Sequence, residues 1–173
     1  MTLGVVRRAG LNHLDVVAHL FDLYRMFYGQ PSDPSLARAF IRARMERDES
    51  VVLLAWRDEQ AVGFVQLYPA FSSVSAARTW ILNDLLVVPE ARRLGVARAL
   101  LSAAADFARD DGALRLELET DHDNHGAQAL YRDMGWTLYL ERAIGSGWRP
   151  RAEATDLFGR RFTDEPVKYD GNR

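Results

Sequence analysis

Residues 85–97, LLVVPEARRLGVA, constrain the fold of this chain more than any other stretch. An apolar run ends at Pro89, which has no N–H to give to a sheet and so closes a strand. Arg92, Arg93 and Leu94 lead to Gly95, after which Val96, Leu100, Ala104 and Phe107 recur on one side of an amphipathic helix. The pattern predicts a buried strand that feeds directly into a helix from about Gly95 to Asp111, with Gly112 as its stop. At such a helix start the first amides have no partner, and the aligned peptide dipoles leave partial positive charge. A phosphate can settle on those bare N–H groups. Arg92, Arg93 and Arg98 add full charges, Gly95 lets the backbone come close because it lacks a Cβ, and Ala97 is nearly as small.

The rest of the chain supplies elements around this junction. Residues 3–8 read as a first strand. Leu14, Val17, Leu20, Phe21, Tyr24 and Tyr28 recur at helical spacing after Asn12, and Pro34 suits the first turn of a second helix running to about Glu46. Residues 51–57 and 62–68 are β-rich runs joined by a tight polar turn, hence a hairpin. A serine-rich loop then leads into a strand from Trp80 to Val88. Beyond the central helix, Leu114, Leu116 and Leu118 alternate with Arg115, Glu117 and Glu119, as in a strand with unlike faces. A short helix carrying Ala127, Leu130, Tyr131 and Met134 ends at Gly135, and Trp136 begins another strand. This order predicts an α/β fold with a mixed central sheet, helices on both faces and a parallel pair at its centre.

The bulk numbers narrow the class. A chain of 173 residues with 48% apolar content supports one core, so a single domain over 1–173 is expected, with 141–173 its atypical part. No run of about 18 apolar residues and no signal-like N-terminus are present, which predicts a cytoplasmic protein without membrane contact. The absence of cysteine excludes disulfides and thiolate catalysis. A net charge of −2 with no long basic run argues against a nucleic-acid partner. Asp121, His122, Asp123 and His125 read as a polar loop entering a helix rather than a metal site.

The spacing Arg92-x-x-Gly95-x-Ala97 resembles the pyrophosphate-binding signature of the GNAT family of N-acetyltransferases. A second segment, Asn124-His-Gly-Ala127-Gln-Ala-Leu-Tyr131-Arg-Asp-Met-Gly135-Trp136, resembles that family's Asn-x-x-Ala-x-x-x-Tyr-x-x-x-Gly-Phe signature, one helix and one strand further on. Residues 67–87 are similar to the branch that includes histone and polyamine acetyltransferases. The resemblance implies acetyl-CoA as cosubstrate with no metal, a primary amine on a polyamine, lysine side chain or small molecule as acceptor, and a homodimer. It also implies central parallel strands that splay to admit the pantetheine arm. In that frame the stretch Leu85, Leu86 and Val87 pairs with pantetheine, residues 92–98 hold the diphosphate, and Asn124 contacts the cofactor or caps a helix.

Attack of a neutral amine on a thioester sets three tasks: stabilising the charge on the carbonyl oxygen, protonating the leaving sulfur, and removing a proton from the ammonium. Backbone amides of 85–87 suit the first. Tyr131 lies where the family places its general acid; on its own spacing it also fits core packing. Asp84 interrupts an apolar strand, where an ionisable residue needs a wet cleft or a partner. It is the candidate base, acting through a water or only anchoring a cation, and Asn83 beside it faces the acceptor by resemblance. By resemblance Tyr24, Phe27 and Tyr28 on the first helix and Phe64, Gln66 and Tyr68 on the hairpin lie at the acceptor pocket, while aromatics at helical spacing also fit core; Glu117, a further candidate there, and Glu119 line either a cleft or solvent. The rival to an enzyme is a silent module that binds acyl-CoA as a signal or clamp.

After Trp136 the family returns at once as a hairpin, whereas Glu141 to Arg161 shows little periodicity here. The sequence leaves that returning strand to about Arg161–Tyr169, to a partner subunit, or to nothing.

Overall fold

The computed structural model describes residues 5–121, 123–143 and 147–154. In chain order these form β1 (Val6–Arg8), a 3-10 turn, α1 (Leu14–Phe27), α2 (Pro34–Glu46), β2 (Val51–Arg57), β3 (Gln60–Ser72) and β4 (Ala77–Val87). A second 3-10 turn at Pro89–Ala91 leads to α3 (Val96–Asp110), β5 (Leu116–Glu119), α4 (His125–Asp133), β6 (Thr137–Ala143) and β7 (Gly147–Ala154).

Local chemistry explains the boundaries. Asp33 caps α2, its carboxylate accepting the Leu36 amide at 2.9 Å, and Pro34 occupies the first turn where no N–H is needed. Asp58 and Glu59 are both left-handed, with φ of 46° and 65°, the geometry of a two-residue hairpin turn between β2 and β3. The expected serine-rich loop shrinks to residues 73–76, because β3 and β4 stay paired out to Ser72 and Ala77.

The strands form one mixed sheet of seven in the order β1-β2-β3-β4-β5-β7-β6, with β4 and β5 parallel and the other neighbours antiparallel. Helices α1 and α2 cover one face, where Leu14, Val17, Leu20 and Ile41 pack on Val52, Leu54, Phe64 and Leu86. Helix α3 covers the other. There Leu100, Leu101 and Ala104 are fully buried against Val65, Leu67, Leu116 and Leu118, each leucine contributing about 1.5 to 3 kcal/mol. The returning strand is present as β7, between β5 and β6, so a hairpin closes this edge within the chain itself. Its residues, GWRPRAEA, lack apolar alternation, which is why periodicity did not reveal it. Residues 161–169 lie outside the described residues.

Two irregularities position everything that follows. Gln66 pairs with Asp84 and Leu67 with Leu82, so Asn83 is an extra residue, a β-bulge in β4. The bulge flips the alternation: Trp80 and Leu82 face α3 before it, Leu85 and Val87 after it, and Asp84 turns to the α1–α2 face. The second irregularity is that β4 pairs with β5 only from Trp80–Leu116 to Leu82–Leu118. Beyond the bulge the two strands part.

Candidate active site

The parting of β4 and β5 opens a cavity of about 370 Å³, walled by Leu82, Asn83 and Leu85 to Val87 on one side, Leu118 to Thr120 on the other, and α4 behind. Val88 gives its amide to the Val62 carbonyl on the β3 side at 3.0 Å. Alternation along the strand therefore turns the Leu86 amide toward β3 and the amides of Leu85 and Val87 into the gap. Of the three residues expected to present backbone groups, Leu85 and Val87 do so; Leu86 contributes only its place in the wall.

At the far end of the gap is the predicted junction. Arg93 is left-handed at φ 64° and Gly95 at φ 81°, and such alternation folds successive N–H groups into a concave anion nest. Gly95 precedes α3 with no side chain capping the helix, so the amides of its first turn face outward from a positive helix end. Val96 is itself buried beneath the turn, while Leu94 is exposed and Ala97 lines the cavity. The three arginines divide. Arg92 donates from Nε to the Val87 carbonyl at 3.1 Å and ties the loop to the end of β4, while Arg98 pairs with Asp133 of α4. Arg93 is exposed. The cradle thus rests on amides and helix polarity, with Arg92 and Arg98 bracing it.

Helix α4 supplies Asn124 and Tyr131. Asn124 caps the helix, its side-chain oxygen accepting the Ala127 amide at 3.1 Å, and it also lines the cavity. Tyr131 stacks obliquely on Trp136 with ring centres 5.8 Å apart. The ring is buried, yet it lines the cavity wall, and burial pushes the hydroxyl up to about 12.

On the acceptor side Asp84 is 4% exposed and is not among the residues that line this cavity. Burial raises its carboxyl above the usual range, opposed by the nearby Tyr24 hydroxyl and by Asn83, whose Nδ2 donates to it at 3.1 Å; the Tyr24 hydroxyl itself reaches the Asn83 carbonyl, at 3.5 Å. Both of those partners reach the cavity. Tyr24, which resemblance puts at the acceptor pocket and helical spacing reads equally as core, lines both hollows. Burial, and then the Asp84 charge, push its phenol well above the usual range. Tyr28 stands 4.9 Å from it at the mouth, more than half exposed.

A neighbouring hollow of about 420 Å³ shares Tyr24, Tyr28, Asn83, Glu119 and Thr120 with it and extends to Asp121. Gln66 and Glu117, expected at the pocket, are elsewhere. Gln66 is fully buried beneath α1 and α2, because a polar residue on that face of β3 meets protein and not solvent. Glu117 is held by Arg115 and lines neither cavity; its neighbour two residues on, Glu119, does. Among the described residues no three His, Cys, Asp or Glu side chains gather as metal ligands, and no helix is long and apolar enough to cross a membrane. His122 lies outside the described residues.

Comparison with known proteins bears on this geometry. Residues 17–136 match the model of the Acetyltransferase (GNAT) family. The chain is 49% identical over 131 residues to the "Uncharacterized N-acetyltransferase YhfO" of Bacillus subtilis, covering 76% of this chain and 88% of that protein. It is 33% identical over 100 residues to the thialysine N-epsilon-acetyltransferase of Caenorhabditis elegans, covering 55% and 57%. A crystal structure titled "a probable acetyltransferase" superposes with a TM-score of 0.73 at 47% identity, covering 77% of this chain and 89% of that one.

Proposed function

The chain belongs to the GNAT family and is an acetyl-CoA-dependent acyltransferase, and from that premise we propose that it acetylates a primary amine by direct attack within a ternary complex. The observation that carries this reading is the divergence of β4 and β5 just past Leu82 and Leu118, beside the outward amides of α3. One opening joins an anion cradle to unpaired strand amides and to a second hollow bearing carboxylates.

The residues fit acetyl-CoA. The diphosphate would be held by the turn 92–98, and the pantetheine arm by the amides of Leu85 and Val87; the bound cosubstrate supplies an activated thioester carbonyl. The remaining work belongs to the chain. The Leu85 amide is a preorganised donor for charge gathering on the carbonyl oxygen. Tyr131 donates toward the departing sulfur. A lysine-type ammonium is mostly charged at pH 7 and must lose a proton before it can attack. Asp84 is the final acceptor of that proton, reached through the Tyr24 hydroxyl, which takes a proton from the amine as it passes its own to the carboxylate. A buried carboxylate of raised basicity suits the task, and activity should rise with pH as Asp84 ionises.

The acceptor is a cationic amine on a small molecule or peptide. Glu119 and Asp121 at the second hollow favour positive charge, and the thialysine acetyltransferase among the relatives supports a lysine-like acceptor. Assembly as a homodimer is part of the proposal and is read by light scattering. The decisive experiment measures thiol release from acetyl-CoA across a panel of polyamines, lysine analogues and small amines, with calorimetry of CoA alongside. Release above background with a primary amine supports the reading. Tight CoA binding with background release from every amine would replace it by the silent acyl-CoA-binding module.

A further inference from the structure

We propose that Gln66 is a positioning residue for Asp84, its amide oxygen receiving the O–H that Asp84 carries once it has taken a proton from the acceptor. The proposal rests on the acceptor-side reading above for its catalytic meaning, though not for its geometry. Gln66 and Asp84 are direct partners in the β3–β4 register, on the face covered by α1 and α2. Side chains so placed stand roughly 5 Å apart at Cβ, within reach of an amide and a carboxyl.

Gln66 is held from its far side. Its Nε2 donates to Ser50 Oγ at 2.8 Å, in a contact where both residues are buried. That leaves Oε1 as a buried oxygen with no partner, the sole such side-chain atom among the described residues. A buried acceptor left unsatisfied needs a reason. An ionised carboxylate offers only lone pairs, so Asp84 and Gln66 Oε1 have no proton to share in that state. When the N–H bond of the ammonium breaks, its electron pair stays on nitrogen and the proton ends on Asp84 Oδ. The acceptor assigned to the new O–H is the unpartnered Gln66 oxygen, whose amide is anchored on its other side by Ser50. The amide oxygen thus favours the protonated form and raises the basicity of the carboxylate.

Other groups facing this pair do not supply that effect. Tyr24 and Tyr28 approach from α1, Asn83 from β4 and Tyr68 from β3, with Arg44 and Glu49 paired beyond Tyr68. Asn83 donates to Asp84, and it and the Tyr24 hydroxyl nearby favour the ionised form. Burial pushes Tyr68 up to about 12, so it remains un-ionised where Asp84 titrates.

The test is a carbon-13 carboxyl titration of the full chain, with Asp84 assigned by its loss in Asp84→Asn. In Gln66→Met, which keeps length and removes the acceptor, the Asp84 midpoint should fall by about 0.5 to 1 pH unit. Ser50→Ala, which frees the amide to turn its N–H toward Asp84, should shift it the same way and serves if Gln66→Met does not fold. An unchanged midpoint overturns the proposal. A raised midpoint also overturns it, because it would mean that Gln66 donates to the carboxylate. The acid limb of the kcat–pH profile should move with the titration. If the midpoint falls while the limb stays, Gln66 keeps its role and Asp84 loses its place as base.

Discussion

Replacing Tyr131 by Phe removes one hydroxyl and almost nothing else. The ring belongs to the core beneath α3 and packs on Trp136, contacts that Phe retains. The hydroxyl is raised to about 12 by burial, whereas an alkyl thiol ionises near 8.5, so complete transfer to a free thiolate is uphill by roughly 3.5 units, about 5 kcal/mol. Its benefit is therefore that of a hydrogen bond to developing charge, about 1.5 to 3 kcal/mol. That corresponds to a loss of roughly 10- to 150-fold in kcat for Tyr131→Phe, well short of the ~10⁴ at the top of the general-acid range. Tm should hold within about 2 °C and CoA affinity within about threefold. Thiol release at saturating amine gives kcat, calorimetry gives the affinity, and a thermal melt checks the fold. A loss under about threefold would remove Tyr131 from the chemistry. A loss near 10⁴ would show that the proton is fully transferred, and the acidity reasoning would fail.

Tyr24→Phe breaks the link between the cavity and Asp84; kcat should fall about 10- to 100-fold with CoA binding unchanged, and an unaltered kcat would mean that Asp84 is reached another way or not used. Gly95→Glu forces a side chain and a negative charge onto a left-handed residue of the cradle, so CoA binding should disappear in calorimetry; retained affinity would place the diphosphate elsewhere. Asp22 pins the connection after α1, accepting from Ser32 Oγ at 2.6 Å, the Asp33 amide at 2.9 Å and Arg25, and the Ser32 hydroxyl is the main cause that holds its carboxyl below the usual range. A depressed carboxyl contributes stability above the unfolded value near ~4 and loses it as pH falls through the folded one. Asp22→Asn should therefore cost about 1 to 3 kcal/mol at pH 7 and progressively less in acid; an equal loss by urea melts at pH 7 and pH 3 would contradict this.

What could be read from residues alone follows the strength of their periodicity. The strand-to-helix junction, α2 with its Pro34 start, and α3 with its Gly112 stop were legible because end signals and a 3.6-residue repeat agree. The bulge was not. WILNDLLVV is apolar almost throughout, so inserting one residue leaves no break in the pattern, although it decides which way Asp84 faces. Tyr24 was ambiguous for a related reason: an aromatic on the buried stripe of a helix looks the same whether its hydroxyl ends in core or cleft. Gln66 and Glu117 show the converse: resemblance put the first in a pocket and strand polarity the second, and the structure gives them Ser50 and Arg115 as partners. Arg92 and Arg98 carry charge that sequence assigned to the ligand and that geometry gives first to Val87 and Asp133.

The extra residue at Asn83 makes β4 a strand with two numbering parities. Up to Leu82 the even positions look toward α3; from Asp84 onward the odd ones do. The upstream segment answers to the demands of the core, and the downstream segment is released to serve whatever enters between the strands. Any aligned sequence that lacks one residue here would carry its acidic side chain to the opposite side of the sheet, so gap placement at this single position decides whether two relatives share that buried carboxylate.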